Sequence, residues 1–401
     1  MQVDTIPPAA RPAREGQQSA PKVYFKNLDG IRFLAAGMVL LQHMSDYKVY
    51  AGVAANAERP FVSALGGYGV NLFFVLSGFL IFYLLFTEKK HTGTVSIRDF
   101  YMRRVLRIWP LYFLFGLGSI LGIEWILNLL GATADTPVMT NLLFLFTFSV
   151  NLQLVFMAAN KGVIELYWSV CIEEQFYLFA PWLVKKANRY MPWIIGGLIA
   201  TGIGTKFLLH YLYSTGTITF PGHGNPIAVF TTTWFDAFGM GIAAAYLYFN
   251  KHLYRRIQGF IENKWIQAAV VGVTLLYVTN ILKPPAFVST YLFSTVPAFL
   301  FAYIVLAAST GRFLVNLEKP LLKTMGRVSY GIYIFHAIIA QGVLFLFLKL
   351  FGKNNMPVYE FLYPLTCLVA VGVVAWLSFE WYEKRFLKMK KRFTVVQNQK
   401  I

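Results

Sequence analysis

Arg32 and His43 stand eleven residues apart in an otherwise apolar run. If that run is helical, eleven steps return to within ~20° of the starting face and climb ~16 Å. A guanidinium can hold a phosphate through paired N–H donors. An imidazole can take a proton near neutral pH. On one helix face the two would meet one space at two depths. The plainer reading is a snorkelling arginine and a hydrogen-bonded core histidine. A second run, from Tyr167 to Tyr177, places Glu173 beside Glu174. Helical neighbours diverge by about 100°, so in lipid at least one carboxylate must turn inward. A third run, Phe100 to Pro110, carries Arg103, Arg104 and Arg107. Arg103 and Arg107 share a face if this stretch is helical. The triplet reads either as a phosphate clamp or as an anchor for anionic lipid.

The elements that would position these groups follow from composition. Of 401 residues, 57% are apolar and 13% charged. A soluble domain carries about 25% charged and 45–50% apolar residues. An aromatic share of 17% excludes disorder. The expectation is an all-α polytopic membrane protein. Ten stretches approach the roughly 20 apolar residues that a bilayer requires: about 28–47, 69–86, 108–130, 166–184, 191–213, 231–249, 265–282, 291–309, 329–350 and 359–382. With a cytoplasmic N-terminus, 28 of the 36 Lys/Arg fall on inner segments and 7 on outer ones when Lys206 and Lys349 are counted with the outer ends of their spans, Arg32 being the one left over. That asymmetry is what the positive-inside rule demands. A crossing by the apolar run 139–157 would reverse every later loop, so that run is expected to be re-entrant or interfacial. Both termini are expected in the cytoplasm. Residues 1–26, rich in Pro, Ala and Gln, read as a disordered arm, and 387–401 as a basic tail. The net charge of +18 is assigned to inner loops, not to nucleic acid. Cys171 and Cys367 indicate neither a disulfide framework nor a metal site.

Topology then gathers polar residues by depth. Glu173 and Glu174 lie roughly 10 Å from the outer face, near the level of His43. Asn71 and Ser77 sit in the outer half of the second span, and Asp236 near the outer end of the sixth. His336 lies in the inner half of the ninth, as a wall residue of the same cavity or a structural histidine. The competing account is a set of interhelical hydrogen bonds.

Six segments in order resemble the acyltransferase family 3 integral-membrane enzymes over about residues 24–386. They are Asn27-Leu28-Asp29-Gly30-Ile31-Arg32 with His43 (an Arg-x10-His signature), Gly69 to Ile81, Arg103-Arg104-x-x-Arg107-Ile108-x-Pro110, Trp168-Ser169-x-x-x-Glu173-Glu174-x-Phe176-Tyr177, Phe235-Asp236-Ala237, and Ser329 to His336. Asn71 stands where many members have Asp, and Trp234 where a basic residue is common. Cys171 and Ile172 vary within the Glu-Glu motif.

The resemblance implies transfer of an acyl group, most often acetyl, from cytoplasmic acyl-CoA to a hydroxyl outside the cytoplasm. A bacterial cytoplasmic (inner) membrane enzyme is then expected, with about ten helices around a central polar cavity. Its acceptor would be a glycan, a lipid-linked saccharide or a macrolide-like small molecule. Arg32, Arg103, Arg104 and Arg107 would hold acyl-CoA, with Ser77 and Gly78 allowing its close approach. His43 would be the general base or form an acyl-histidine, and Glu173 or Glu174 would fix its tautomer or shuttle protons. Asn71, Trp168, Asp236 and His336 would line the substrate cavity. No metal is implied. The expected form is minimal, residues 27–386, without an extracytoplasmic hydrolase-like domain. A transporter or flippase without covalent chemistry is the rival expectation, though no repeated halves are evident.

Overall fold

The computed structural model describes residues 22–53, 61–129, 137–157, 163–220, 226–394 and 397–398. Of the expected arm, residues 1–21 lie outside the described residues, as do 395–396 and 399–401 of the tail. The described chain is helical apart from one two-residue parallel pairing, Lys22–Val23 with Gln397–Asn398. In order, the helices are α1 Leu28–Tyr50, α2 Leu65–Thr92, α3 Ile97–Leu129, α4 Val138–Phe146, α5 Val150–Phe156, α6 Trp168–Ala187, α7 Met191–Ser214, the short α8 Pro226–Val229, and α9 Phe235–Phe249. They continue as α10 Lys251–Glu262, α11 Lys264–Val278, the short α12 Ala286–Tyr291, α13 Thr295–Ser309, α14 Pro320–Arg327, α15 Ser329–Phe351, α16 Tyr363–Ser378 and α17 Lys384–Lys390.

Each of the ten apolar stretches is helical over most of its length. Among the described residues, five helical runs are long and apolar enough to cross a bilayer: Leu65–Thr92, Ile97–Gly122, Glu165–Ser214, Ser329–Phe351 and Val358–Phe393. The third of these holds two of the expected spans. The apolar run 139–157 breaks into α4 and α5 at Phe148, whose φ is 50°. Helices of nine and seven residues extend only ~10–14 Å, far short of a ~30 Å hydrocarbon core.

Local chemistry sets the helix ends. Asn27 precedes α1 at φ 66°, a left-handed conformation that Asn tolerates better than most residues. Its side chain accepts from the Leu317 N–H at 2.8 Å, and its own N–H donates to Glu318 at 2.6 Å. The start of α1, and therefore Arg32, is thus tied to the segment before α14. Gly93 ends α2 at φ 75°, the usual glycine stop. Asn250 and Asn263 cap α10 and α11 through their side-chain oxygens.

The core is centred on α2, which is buried along much of its length and packed closely against α9. A β-carbon at Gly78 would lie 2.4 Å from the Phe238 carbonyl oxygen, and one at Gly241 would lie 2.1 Å from that of Val75. The two glycines let the helix backbones touch, as small residues do in membrane bundles. This corrects the role expected of Gly78: its open face is filled by α9, leaving no room there for an acyl carrier. Phe176 of α6 stacks on Phe238 with ring centroids 4.0 Å apart, joining a third helix to the pair.

Residues 384–393, the last seven of them within the expected basic tail, form α17 and a further helical turn. Tyr382 donates to the Pro110 carbonyl at 3.1 Å, and Arg103 to that of Phe393 at 2.8 Å. These bonds fold the segment back along α3. Gly241→Val should clash with backbone and lower the melting temperature of the detergent-purified protein, at a cost above the ~1–3 kcal/mol of ordinary overpacking. Gly67→Ala, with nothing within 4 Å of the added carbon, should leave it unchanged or slightly raised.

Candidate active site

One cavity of about 120 Å³ runs between α1, α2, α3, α6, α15 and α17. At ~10–15 Å³ for each water-sized group, it admits a narrow chain rather than a nucleotide. Its cations are Arg32, Arg104, Arg107 and Lys390. Its other polar lining comes from Ser77, Ser169, Glu173, Tyr177, Ser329, Tyr330 and Tyr333, with Phe73 and Phe74 among the apolar walls.

The cations are unevenly neutralised. Arg32 is 9% exposed and pairs with Asp29, one turn earlier, at 2.6 Å. Arg104 lies over the rings of Phe100 and Tyr177, 5.9 and 5.6 Å from their centroids, and its Nε has no partner. Arg103 is turned elsewhere. It pairs with the buried Glu88 at 2.8 Å, besides its bond to Phe393, and does not line the cavity. The expected Arg103–Arg107 face is therefore split, because Glu88 captures one of the two.

On α6 the adjacent carboxylates diverge as helix geometry requires. Glu173 accepts from the hydroxyls of Ser77 and Tyr177 in the cavity wall. Glu174 turns to Trp109, accepting from its indole N–H at 3.0 Å, and its other oxygen is unpartnered. Ser169 shares a 2.6 Å hydrogen bond with the Tyr333 hydroxyl, which in its other contact donates to the Leu166 carbonyl at 3.0 Å.

His43 and His336 lie beyond this lining and against each other, with ring centroids 4.9 Å apart. The His43 Nδ1 is 2.9 Å from the Val39 carbonyl, and the His336 Nδ1 is 2.5 Å from that of Tyr333. A carbonyl only accepts, so each neutral ring carries its proton on Nδ1 and leaves Nε2 as its basic atom. The Nε2 of His336 is buried without a partner. Contact with the cavity wall runs through Tyr333, whose ring is 5.6 Å from His336 and 6.2 Å from Phe73. His43 and the two glutamates are thus not brought into direct contact.

Asn71, Trp168 and Asp236 also stand outside the cavity lining. Trp168 packs on Trp234 with centroids 5.9 Å apart. Asp236 is fully buried in a separate polar knot. It meets Lys206 and Thr295 at 2.5 Å each, Ser294 at 3.0 Å and the Ala237 N–H at 2.9 Å. Asn71 donates to the Ser294 carbonyl at 2.8 Å. The depth argument gathered Asn71 and Asp236 in one layer, but interhelical bonding rather than the cavity claims them.

A family model described as an acyltransferase domain, the acyltransferase 3 model, matches residues 25–379. The chain belongs to this family. It is 24% identical to a provisionally named O-acetyltransferase of Staphylococcus aureus (strain COL), over 91% of this chain and 58% of that protein. It is 26% identical to the peptidoglycan O-acetyltransferase OatA of Listeria monocytogenes, over 90% of this chain and 55% of that protein. A provisionally named peptidoglycan O-acetyltransferase of Bacillus subtilis, YrhL, is also 26% identical, over 78% of this chain and 48% of the relative. The chain therefore spans about half the length of these relatives. No solved structure matches it.

Within this acyltransferase family 3 chain, sequence reasoning missed Lys206, Tyr177, Tyr333 and Lys390. Lys206 was counted with an outer segment although it lies inside α7 and has no exposed surface. Its signal was a lone basic residue within an apolar run. Removing one member of a buried ion pair costs about 3–5 kcal/mol, whereas replacing both with apolar residues is often near neutral. Lys206→Met should therefore unfold the protein at markedly lower temperature. The double variant Lys206→Met/Asp236→Leu should recover part of that loss in a thermal melt.

Proposed function

We propose that this chain is an integral-membrane O-acyltransferase, with about ten transmembrane helices and both termini in the cytoplasm of a bacterial cell. It would take an acyl group, most readily acetyl, from cytoplasmic acyl-CoA and pass it to a hydroxyl of an extracytoplasmic glycan or related acceptor. The observation that carries this reading is the convergence of Arg32, Arg104 and Arg107 on one narrow cavity that also holds Glu173. Clustered guanidiniums suit phosphate, and membership of the family supports acyl transfer. The names of two relatives make peptidoglycan the first acceptor to test.

In this reading the phosphates stay with the arginines and the acyl-bearing arm extends toward Phe73 and Tyr333. His43 Nε2 takes the proton of the acceptor hydroxyl. The hydroxyl oxygen bonds to the thioester carbonyl carbon, the C–S bond breaks, and the imidazolium returns its proton to the departing thiolate. Glu173, through Ser77 and Tyr177, keeps the cavity wall polar along the route of the arm.

The test is transfer of radiolabelled acetyl from acetyl-CoA to glycan by the purified protein in vesicles. His43→Ala should lower the rate by roughly 10²–10⁴-fold, the usual worth of a general base, while CoA binding persists. A wild-type rate in that variant removes His43 from the mechanism. Arg104→Glu should raise KM for acetyl-CoA with little change in kcat. Arg103→Ala should instead lower thermal stability, because it leaves Glu88 buried and unpaired.

A further inference from the structure

Four cations line the cavity beside a single carboxylate, Glu173. Asp29 is engaged with Arg32, Glu88 with Arg103, and Glu173 with Ser77 and Tyr177. Glu383 accepts from Ser378 at 3.2 Å. The side chains of Arg107 and Lys390 have no hydrogen bond or ion pair among the described residues, and the Arg104 guanidinium lies over aromatic faces. Three cations with no carboxylate within ion-pair distance share one partly enclosed space; Glu173 and Glu174 attract Arg104 and Glu383 attracts Arg107 from farther off, while the cations repel one another more strongly than they would in water. Two backbone carbonyls help to hold the segment in place against that repulsion. The Phe393 carbonyl is held by Arg103 and the Pro110 carbonyl by Tyr382, so the chain on both sides of α17 is fastened to α3. The fold thus spends fixed backbone contacts on holding an ammonium next to guanidiniums.

We propose that Lys390, carried into the cavity by the folded-back C-terminal segment, is a fourth phosphate ligand, completing a polyphosphate site with Arg32, Arg104 and Arg107. Lys390 lies beyond residue 379, where the match to the family model ends, so family membership assigns it no role. The division of labour suits the chemistry. Guanidiniums fix orientation by paired donors, whereas an ammonium on a flexible stem adds charge without demanding one geometry. The inference rests on the acyltransferase reading for its ligand, the phosphates of acyl-CoA. The phosphate headgroup of an anionic lipid shares that chemistry and is separated from it by experiment.

The full chain is placed in nanodiscs of phosphatidylcholine, and its melting temperature is followed with added CoA or with phosphatidylglycerol included in the bilayer. Lys390→Met, Lys390→Arg and Lys388→Met are compared, Lys388 being exposed and outside the cavity lining. CoA should stabilise the wild type. Lys390→Met should weaken CoA binding about tenfold or more, the worth of one charge-assisted hydrogen bond. Without CoA it should melt no lower than the wild type, since a like charge has been removed. KM for acetyl-CoA should rise by the same factor with kcat held. Lys390→Arg should largely restore binding, and Lys388→Met should behave as wild type. Unchanged CoA affinity in Lys390→Met, or a lower melting point without CoA, overturns the role of Lys390 and leaves the acyltransferase reading standing. Stabilisation by phosphatidylglycerol and not by CoA, lost in Lys390→Met, overturns the assignment to acyl-CoA and that reading with it.

Discussion

Charge inside an apolar bundle must be neutralised by a neighbour or face a polar space, and this constraint sorts the polar residues of the chain. Lys206 and Asp236 satisfy it completely. Both are fully buried, and Asp236 is surrounded by donors from Lys206, Ser294, Thr295 and the backbone. Arg103 satisfies it with Glu88 and a carbonyl. Arg104, Arg107 and Lys390 meet it the second way, by lining one cavity. A closed polar knot explains itself through the helices it joins. An open one, kept in place by surrounding bonds, requires an occupant of opposite charge.

The cavity exists because of what happens on the other side of α2. Ser77 and Gly78 are neighbours, so they point about 100° apart. Gly78 gives its face to α9, where Gly241 returns the contact and Phe238 stacks on Phe176. Ser77 is thereby turned toward α6 and donates to Glu173. The close packing of one face fixes the register of the polar face beside it. A larger residue at either glycine would move the hydroxyl together with the helix. Packing and site geometry are therefore one problem along this stretch, although only one of the two residues lines the cavity.

Helical periodicity and loop charge made much of this legible from sequence. Arg32 and His43 do share α1, the Glu173–Glu174 pair does split between cavity and packing, and the run 139–157 does break into pieces too short to cross. The missing information was tertiary in every case. Arg103 and Arg107 are equivalent by spacing, and only Glu88, from another helix, tells them apart. Depth placed Asn71 and Asp236 in one layer correctly, but Lys206 decides what that layer is for. A single lysine inside an apolar window barely disturbs its hydropathy. Lys390 was hidden differently: in a tail with seven basic residues after residue 383, composition cannot distinguish the one whose chain folds back.

The relation between the histidines and the cavity bears most directly on chemistry. Both rings are held through Nδ1 by carbonyls of their own helices, so orientation is fixed before any substrate arrives. The reactive Nε2 of His43 is therefore preorganised, and the unpartnered Nε2 of His336 leaves a second proton-accepting atom close by. Between this pair and the cations stand the rings of Phe73 and Tyr333. In the proposed reaction these rings would keep water away from the thioester, and the hydrophilic phosphates stop where the arginines are. In the proposed reaction the separation works in favour of transfer over hydrolysis: the activated carbonyl meets a base only after leaving the aqueous, cationic side, so the first hydroxyl it encounters there is that of the acceptor.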